Sequence, residues 1–117
     1  MFGLHSQQRF LLYSQATDMR KSFDGLAGLV RNELGQEPQN GTVYLFINKR
    51  RDRLKLLHGS ASGFTLYYKR LESGTFELPQ YDDNTTTLKL NYAQLVLLVD
   101  GLTITNIQRR KGRRNTP

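Results

Sequence analysis

The stretch Thr42-Val-Tyr-Leu-Phe-Ile-Asn-Lys-Arg-Arg-Asp-Arg-Leu-Lys-Leu-Leu57 decides the fold, because one short polar segment separates two strand-like segments. Branched and aromatic side chains fall on both alternating faces of residues 42–47, which is typical of a strand that is covered on two sides. Residues 48–52 predict a turn, and residues 53–57 predict a second strand. The stretch therefore predicts a hairpin whose tip carries a basic cluster.

Before this stretch, residues 9–14 predict a first strand, and a helix is expected to follow it. Thr17 or Asp18 is the expected N-cap, because its side-chain oxygen can accept the free amide hydrogens of the first turn. Gly35 is expected to end the helix. The apolar stripe that predicts this helix consists of Met19, Phe23, Leu26, Val30 and Leu34. Gly25 and Gly28 are unfavourable inside a helix, so we expect another backbone to approach closely there.

After the central stretch, residues 64–69 predict a third strand, and residues 75–78 and 85–90 predict a short hairpin. Residues 92–100 predict a last helix, with Asn91 as its cap and Gly101 as its stop. Residues 95–99 are apolar all round, so periodicity alone leaves a buried strand as an alternative.

This order of elements predicts an α+β fold rather than a doubly wound sheet. We expect a single domain over residues 1–107, with a mainly antiparallel sheet of about five to six strands flanked by two helices. Residues 108–117 are too polar and charged to be buried, so they predict a disordered basic tail.

Composition argues against several classes of function. The chain has no cysteine and two histidines, and it lacks the spacing of metal ligands and of phosphate-binding glycine loops. We therefore expect no catalytic residues, no metal and no cofactor, and a protein that is not an enzyme. No apolar run approaches the roughly 18 residues of a membrane span, and the first residues do not resemble a secretory signal. The expected location is the cytoplasm, with no membrane contact.

The net charge of +7 is concentrated in two places. Residues 109–114 hold five basic side chains, so the preceding body carries 12 basic against 10 acidic groups. Within that body, residues 49–55 hold five basic side chains and one acid. Concentrated cations attract a polyanion, because each phosphate contact releases counterions. The alternative is a solvated turn together with a disordered tail.

Two further groups of residues have competing interpretations. Arg20 and Lys21 fall in the first turn of the predicted helix, where the dipole disfavours cations, and this marks them as functional unless Arg20 pairs with Asp24. Tyr67 shares a strand face with Lys69, so an exposed Tyr67 can stack on a base while Lys69 binds its phosphate. The alternative is that Tyr67 packs under a helix and the neighbouring Tyr68 is in the core.

Four spaced segments resemble a known family in their order and spacing. They are Thr17-Asp-Met-Arg-Lys-Ser-Phe-Asp-Gly-Leu26, Asn48-Lys-Arg-Arg-Asp-Arg-Leu-Lys55, Gly63-Phe-Thr-Leu-Tyr-Tyr-Lys-Arg-Leu-Glu-Ser-Gly74 and Tyr92-Ala-Gln-Leu-Val-Leu-Leu-Val-Asp-Gly101. Across most of residues 9–102 they resemble TnpB, the Orf2-like accessory protein of the insertion sequence 66 transposon family. The resemblance implies a protein that assists transposition beside a separately encoded transposase. The chain departs from the family pattern at residues 58–62, where it has His-Gly-Ser-Ala-Ser instead of an aromatic residue followed by Trp-Asp-Gly.

Charge and resemblance together predict a non-catalytic accessory protein for transposition of an insertion sequence. Its expected partners are DNA, at the element ends, and the transposase of the same element. The alternative is a protein-interaction adaptor that docks the transposase without touching DNA. The residues expected to contact nucleic acid are Arg20, Lys21, Lys49, Arg50, Arg51, Arg53, Lys55, Tyr67, Lys69, Arg70, Arg109, Arg110, Lys111, Arg113 and Arg114.

Overall fold

The computed structural model describes residues 4–100 of the chain. Its elements are, in chain order, β1 (Phe10–Tyr13), α1 (Phe23–Glu33), β2 (Val43–Ile47), β3 (Arg53–Ser60), β4 (Gly63–Arg70), β5 (Thr87–Leu90) and α2 (Tyr92–Val99). The strands form one open sheet in the order β4-β3-β2-β1-β5. Two helices and a mainly antiparallel sheet confirm the predicted α+β class.

β1 and β2 are the parallel pair of this sheet within residues 4–100, and α1 is the crossover between them. Both strands therefore end at the same edge of the sheet, which we call the carboxyl edge. The loop that leaves β1 (residues 14–22) and the turn between β2 and β3 (residues 48–52) meet at this edge. The opposite edge, where β1 and β2 begin, is the amino edge.

The two helices cover opposite faces of the sheet. α1 packs on the side chains of Leu11, Tyr44, Phe46 and Leu57, and we call this side the α1 face. On the other side, the α2 face, the buried side chains of α2 join those of the alternate strand positions, such as Phe10 and Leu45. Every residue of β2 is buried because β2 has a layer on each side. This confirms the prediction of a strand covered on both faces.

The first helix begins later than the sequence predicts. It starts at Phe23, with Ser22 as N-cap, so the assignment of Thr17 or Asp18 to the cap is wrong. The Asp18 carboxylate instead accepts a hydrogen bond from the backbone N–H of Arg20, 2.9 Å away. Such a local turn competes with the helix for the same backbone groups. Gly35 follows the helix with a φ of 65°, which confirms the predicted stop.

The predicted hairpin of residues 75–78 and 85–90 is wrong. Residues 75–78 are not a strand; Phe76 is buried in the core, and its N–H donates to the carbonyl of Arg51. β5 pairs instead with β1, as an antiparallel edge strand. The last helix is confirmed over Tyr92–Val99, with a capping box between Asn91 and Gln94. The predicted stop at Gly101 and the predicted tail lie outside the described residues.

The glycine that another backbone approaches closely is Gly59 rather than Gly25 or Gly28. A methyl group on Gly28 would meet nothing within 4 Å, and one on Gly25 would meet only the Lys21 side chain. A methyl group on Gly59 would lie 2.3 Å from the Pro38 carbonyl oxygen, which is closer than atoms can approach. The loop from α1 to β2 therefore rests directly on the β3 backbone at the amino edge.

We expect Gly59→Ala to lower the free energy of unfolding by roughly 2 kcal/mol, because the loop at Pro38 must move away from β3. Gly28→Ala is the matched control. It is expected to stabilise the protein by roughly 0.5–1 kcal/mol, because alanine is the better helix former and open space surrounds the site. Urea denaturation of both variants measures the two changes. Equal stability of the two variants would contradict this account of Gly59.

Candidate nucleic-acid interface

The side chain of Asn48 holds the turn between β2 and β3. Its Oδ1 accepts hydrogen bonds from the backbone N–H groups of Asp52 (3.0 Å) and Arg53 (2.9 Å). Its Nδ2 donates to the Asp52 carboxylate at 2.7 Å, and this hydrogen bond lowers the pKa of Asp52. The carboxylate is therefore tied inside the turn, while Lys49, Arg50 and Arg51 are exposed around it.

Arg51 adopts a left-handed backbone conformation, with a φ of 59°. Its N–H donates to the carbonyl of Asn48, and its own carbonyl accepts from Phe76. A side chain in this conformation costs about 1 kcal/mol relative to glycine. Glycine would adopt this conformation without that cost, yet the turn has arginine at this position.

A cleft of about 450 Å³ lies at the carboxyl edge between the loop after β1 and the turn after β2. One wall is residues 16–20, and the other is formed by residues 48–50 together with Arg53. Four cationic side chains line it, and Asp18 is the acidic residue in its lining. The cations are Arg20, Lys49, Arg50 and Arg53.

The charge of Asp18 is neutralised within this cleft. Arg20 donates from Nη2 and from Nε to the two Asp18 oxygens, at 2.7 Å and 3.0–3.1 Å. These bonds lower the pKa of Asp18 to about 2, so the carboxylate is ionised at neutral pH and paired. The predicted pairing of Arg20 with Asp24 is wrong. Arg20 and Lys21 also precede α1 rather than forming its first turn.

A second, smaller cleft of about 210 Å³ adjoins the first, and Asn48 and Lys49 border both. Arg51 lines this second cleft, whereas Arg50 and Arg53 line the first. Tyr81 also lines it, and its hydroxyl donates to the Ser14 carbonyl at 3.1 Å. The basic turn therefore projects between two depressions at the carboxyl edge.

Like charges face each other where β3 meets β4. Arg53 and Arg70 are directly opposed in the antiparallel register, a placement that destabilises a sheet when nothing intervenes. Arg70 lies 3.5 Å from Glu72, but both side chains are largely exposed, so this ion pair is weak. The pair of arginines extends the basic surface from the first cleft onto the α1 face.

Lys55 does not belong to this exposed surface. Lys55 is 6% exposed, and its Nζ donates hydrogen bonds to the carbonyls of Met19 (2.8 Å) and Lys21 (2.7 Å). The same nitrogen lies 4.7 Å from the centre of the Tyr68 ring. The structure therefore gives Lys55 a structural role in fixing the loop before α1, and it corrects our expectation of a phosphate ligand.

The expected exposure of the two neighbouring tyrosines is reversed. Tyr67 packs against the core on the α2 face, whereas Tyr68 lies on the α1 face and is 49% exposed. Lys69 is half-buried opposite Leu54, on the α2 face. Tyr67 and Lys69 therefore do not form the predicted stacking site, because the accessible ring is that of Tyr68.

The predicted contact residues thus divide into three groups. The structure brings Arg20, Lys49, Arg50 and Arg53 together in one cleft, places Lys21, Arg51 and Arg70 at its margins, and separates Lys55, Tyr67 and Lys69 from it. The five cations of residues 109–114 lie outside the described residues, so their contact with nucleic acid stays a prediction. Sequence reasoning missed Tyr68, because the register that places it opposite Lys55 is set by the fold.

The departure from the family pattern at residues 58–62 lies away from the cleft. His58 and Ser60 end β3 at the amino edge, and residues 61–62 form a tight turn into β4. His58 Nε2 lies 3.2 Å from the Gln8 side-chain nitrogen. The substituted segment is therefore part of the edge opposite the basic cleft.

Within residues 4–100, no group of histidine and acidic side chains is arranged to hold a metal ion. In the same part of the chain, neither helix has the length and apolar character needed to cross a membrane.

Comparison with known proteins gives a consistent result. The family described as IS66 Orf2 like protein matches residues 8–109. The uncharacterized protein y4jC of Sinorhizobium fredii is 34% identical over 116 residues, which are 99% of this chain and 97% of that protein. The uncharacterized protein y4hO of the same organism is 31% identical over 86 residues, 74% of this chain and 73% of its own length. No solved structure matches the chain.

Proposed function

Because the chain belongs to the IS66 Orf2-like protein family, we propose that it is a non-catalytic accessory protein of transposition that binds DNA. In this proposal it holds the phosphate backbone of the element ends and acts beside the separately encoded transposase. The observation that carries the proposal is the cleft at the carboxyl edge, with four cations and one carboxylate that Arg20 neutralises.

The arrangement suits a phosphate backbone better than a small anion. The cations come from two separate chain segments and from both walls of an open cleft, and the exposed Arg51 and Arg70 continue the surface on either side. A row of phosphates can contact such a surface at several points, and each contact releases counterions. Contacts of this kind position a protein on DNA but carry no sequence information.

The position of the cleft also supports the proposal. In open α/β sheets, ligands bind in the crevice outside the carboxyl ends of the parallel strands. Here the β1–α1–β2 unit places the loop after β1 against the turn after β2 at that position. The five cations of residues 109–114 would add affinity that is independent of sequence.

Salt titration of duplex-DNA binding tests the proposal. The full chain is expected to bind a duplex at about 50 mM salt, and log affinity should fall linearly with log salt. Three phosphate contacts in the cleft, from the cations other than the Asp18-paired Arg20, predict a slope of roughly −2.7, since each contact contributes about −0.9. Binding that is undetectable at about 50 mM salt, or insensitive to salt, would overturn the proposal.

The transposase partnership is tested separately. In a pull-down with the tagged chain, the transposase is expected to stay bound after nuclease treatment. The nuclease removes any DNA that could bridge the two proteins. Retention without any DNA binding in the salt titration would instead favour the adaptor function. The adaptor alternative places the transposase on the sheet or on the helix face of Gly25 and Gly28, and within residues 4–100 no other part of the chain lies within 4 Å of a methyl group built on Gly28.

A further inference from the structure

Tyr68 and Phe23 are the two large apolar side chains that stand out as exposed among residues 4–100, at 49% and 42%. Single exposed aromatics are common on protein surfaces and need no explanation by themselves. These two, however, belong to segments that meet at one point on the α1 face.

The buried ammonium of Lys55 is the point at which the segments meet. It lies 4.7 Å from the Tyr68 ring centre and donates to the Lys21 carbonyl, two residues before Phe23. Because Lys55 is 6% exposed and Tyr68 is half-exposed, the cation covers one part of the ring and leaves another part open to solvent. The cation also fixes the ring by attraction to its π-system. Tyr68 is therefore an accessible and restrained ring.

Cations flank this ring along the sheet. Arg70 is two residues from Tyr68 on the same strand, so both project from the α1 face. Arg53 stands opposite Arg70, and it also lines the basic cleft. The ring is thus continuous with the surface proposed to hold phosphates. Restrained aromatic rings within a basic groove are the arrangement by which proteins bind unpaired nucleic-acid strands.

We propose that this surface binds an unpaired DNA strand, with a base stacked on Tyr68 and the neighbouring phosphates held by Arg53 and Arg70. The proposal rests on the proposed function and names its substrate class. A duplex cannot use Tyr68 in this way, because its bases already stack on each other and present only their edges.

The test compares two probes on three proteins. The probes are a labelled oligodeoxythymidylate of about 20 nucleotides, longer than the roughly 4 to 16 nucleotides that a single-strand-binding domain covers, and a duplex of the same length. The proteins are the full chain, Tyr68→Leu and Tyr68→Phe. Tyr68→Leu is expected to bind the single strand about tenfold more weakly and the duplex unchanged. Tyr68→Phe keeps the ring and should bind both probes as the full chain does.

A second measurement follows the ring itself. The chain has no tryptophan, so its intrinsic fluorescence comes from tyrosine. Stacking should quench a component of this fluorescence when the single strand is added, and this component should be absent from Tyr68→Leu. Circular dichroism of the variants checks that they fold, which is expected for a half-exposed position on an edge strand.

The outcomes separate this inference from the proposed function. Unchanged single-strand binding by Tyr68→Leu, with salt-dependent duplex binding intact, would overturn the stacking inference alone. Equal losses on both probes would also overturn it, because Tyr68 would then not distinguish an unpaired strand. Failure of the full chain to bind either probe would overturn the proposed function and this inference together.

Discussion

Replacing Lys49, Arg50 and Arg53 together by glutamine is expected to weaken duplex-DNA binding by about two orders of magnitude at about 0.1 M salt. The three side chains are the cations of the cleft lining that have no carboxylate partner there, because Arg20 is paired with Asp18. If each contacts one phosphate, the slope of log affinity against log salt should become less negative by about 2.7. The turn should keep its shape, because Asn48 and backbone groups hold it rather than these cations. Fluorescence anisotropy at several salt concentrations measures both quantities.

The matched control removes the same charge elsewhere. Arg9, Arg31 and Lys89 are exposed and lie away from the carboxyl edge, before β1, in the last turn of α1 and on β5. Their triple replacement by glutamine should reduce affinity only slightly, through the lower net charge. Both variants keep residues 108–117, so any contribution of that segment is constant. Equal losses in the two variants would show that DNA responds to overall charge and not to the cleft.

Lys55→Ala is expected to destabilise the protein by about 3 kcal/mol, the largest loss among the single substitutions considered. Its ammonium donates two short hydrogen bonds to the carbonyls of Met19 and Lys21, and hydrogen bonds to charged groups contribute about 1.5–3 kcal/mol each. Removing it leaves both carbonyls without that partner and removes the cation from the Tyr68 ring. Urea denaturation measures the loss, provided that the free energy of unfolding falls with urea concentration at the same slope in both proteins.

The control for this prediction is Lys89→Ala, which shortens an exposed lysine on β5 and should change stability by less than about 0.5 kcal/mol. Lys55→Met separates charge from packing, because it keeps an apolar side chain of similar reach. We expect it to lose most of the same stability, since it cannot donate to the two carbonyls. A Lys55→Met variant as stable as the unaltered chain would contradict a hydrogen-bonding role.

The strands of the central stretch are predictable because their signals are local. Alternating apolar residues define β2, and the polar segment from Asn48 to Asp52 defines the turn. The start of α1 is not predictable in the same way, because Asp18 can cap a helix or close a turn around Arg20 and sequence does not rank the two. The partner of β5 is also set by distant packing, since β1 precedes it by more than 70 residues.

The candidate site is likewise predictable only where the signal is local. The basic turn can be identified from charge density alone, and the structure leaves its cations exposed. The roles of Lys55, Tyr67 and Tyr68 could not be assigned, because they depend on which face of β4 the crossover helix covers. Lys55 looks like one more cation in a basic run, yet its register opposite Tyr68 and its distance to the loop before α1 decide its role.

The left-handed conformation of Arg51 sets the backbone strain of this turn against its positive charge. Glycine would relax its backbone, so a laboratory selection for thermal stability alone should favour loss of the arginine. Such a selection would also discard a cation from the wall of the second cleft. Under the proposed function, the same substitution would remove a phosphate contact, so a gain in stability and a loss in DNA binding would go together. Variants selected for heat stability alone would therefore be unsuitable for testing the DNA binding proposed here.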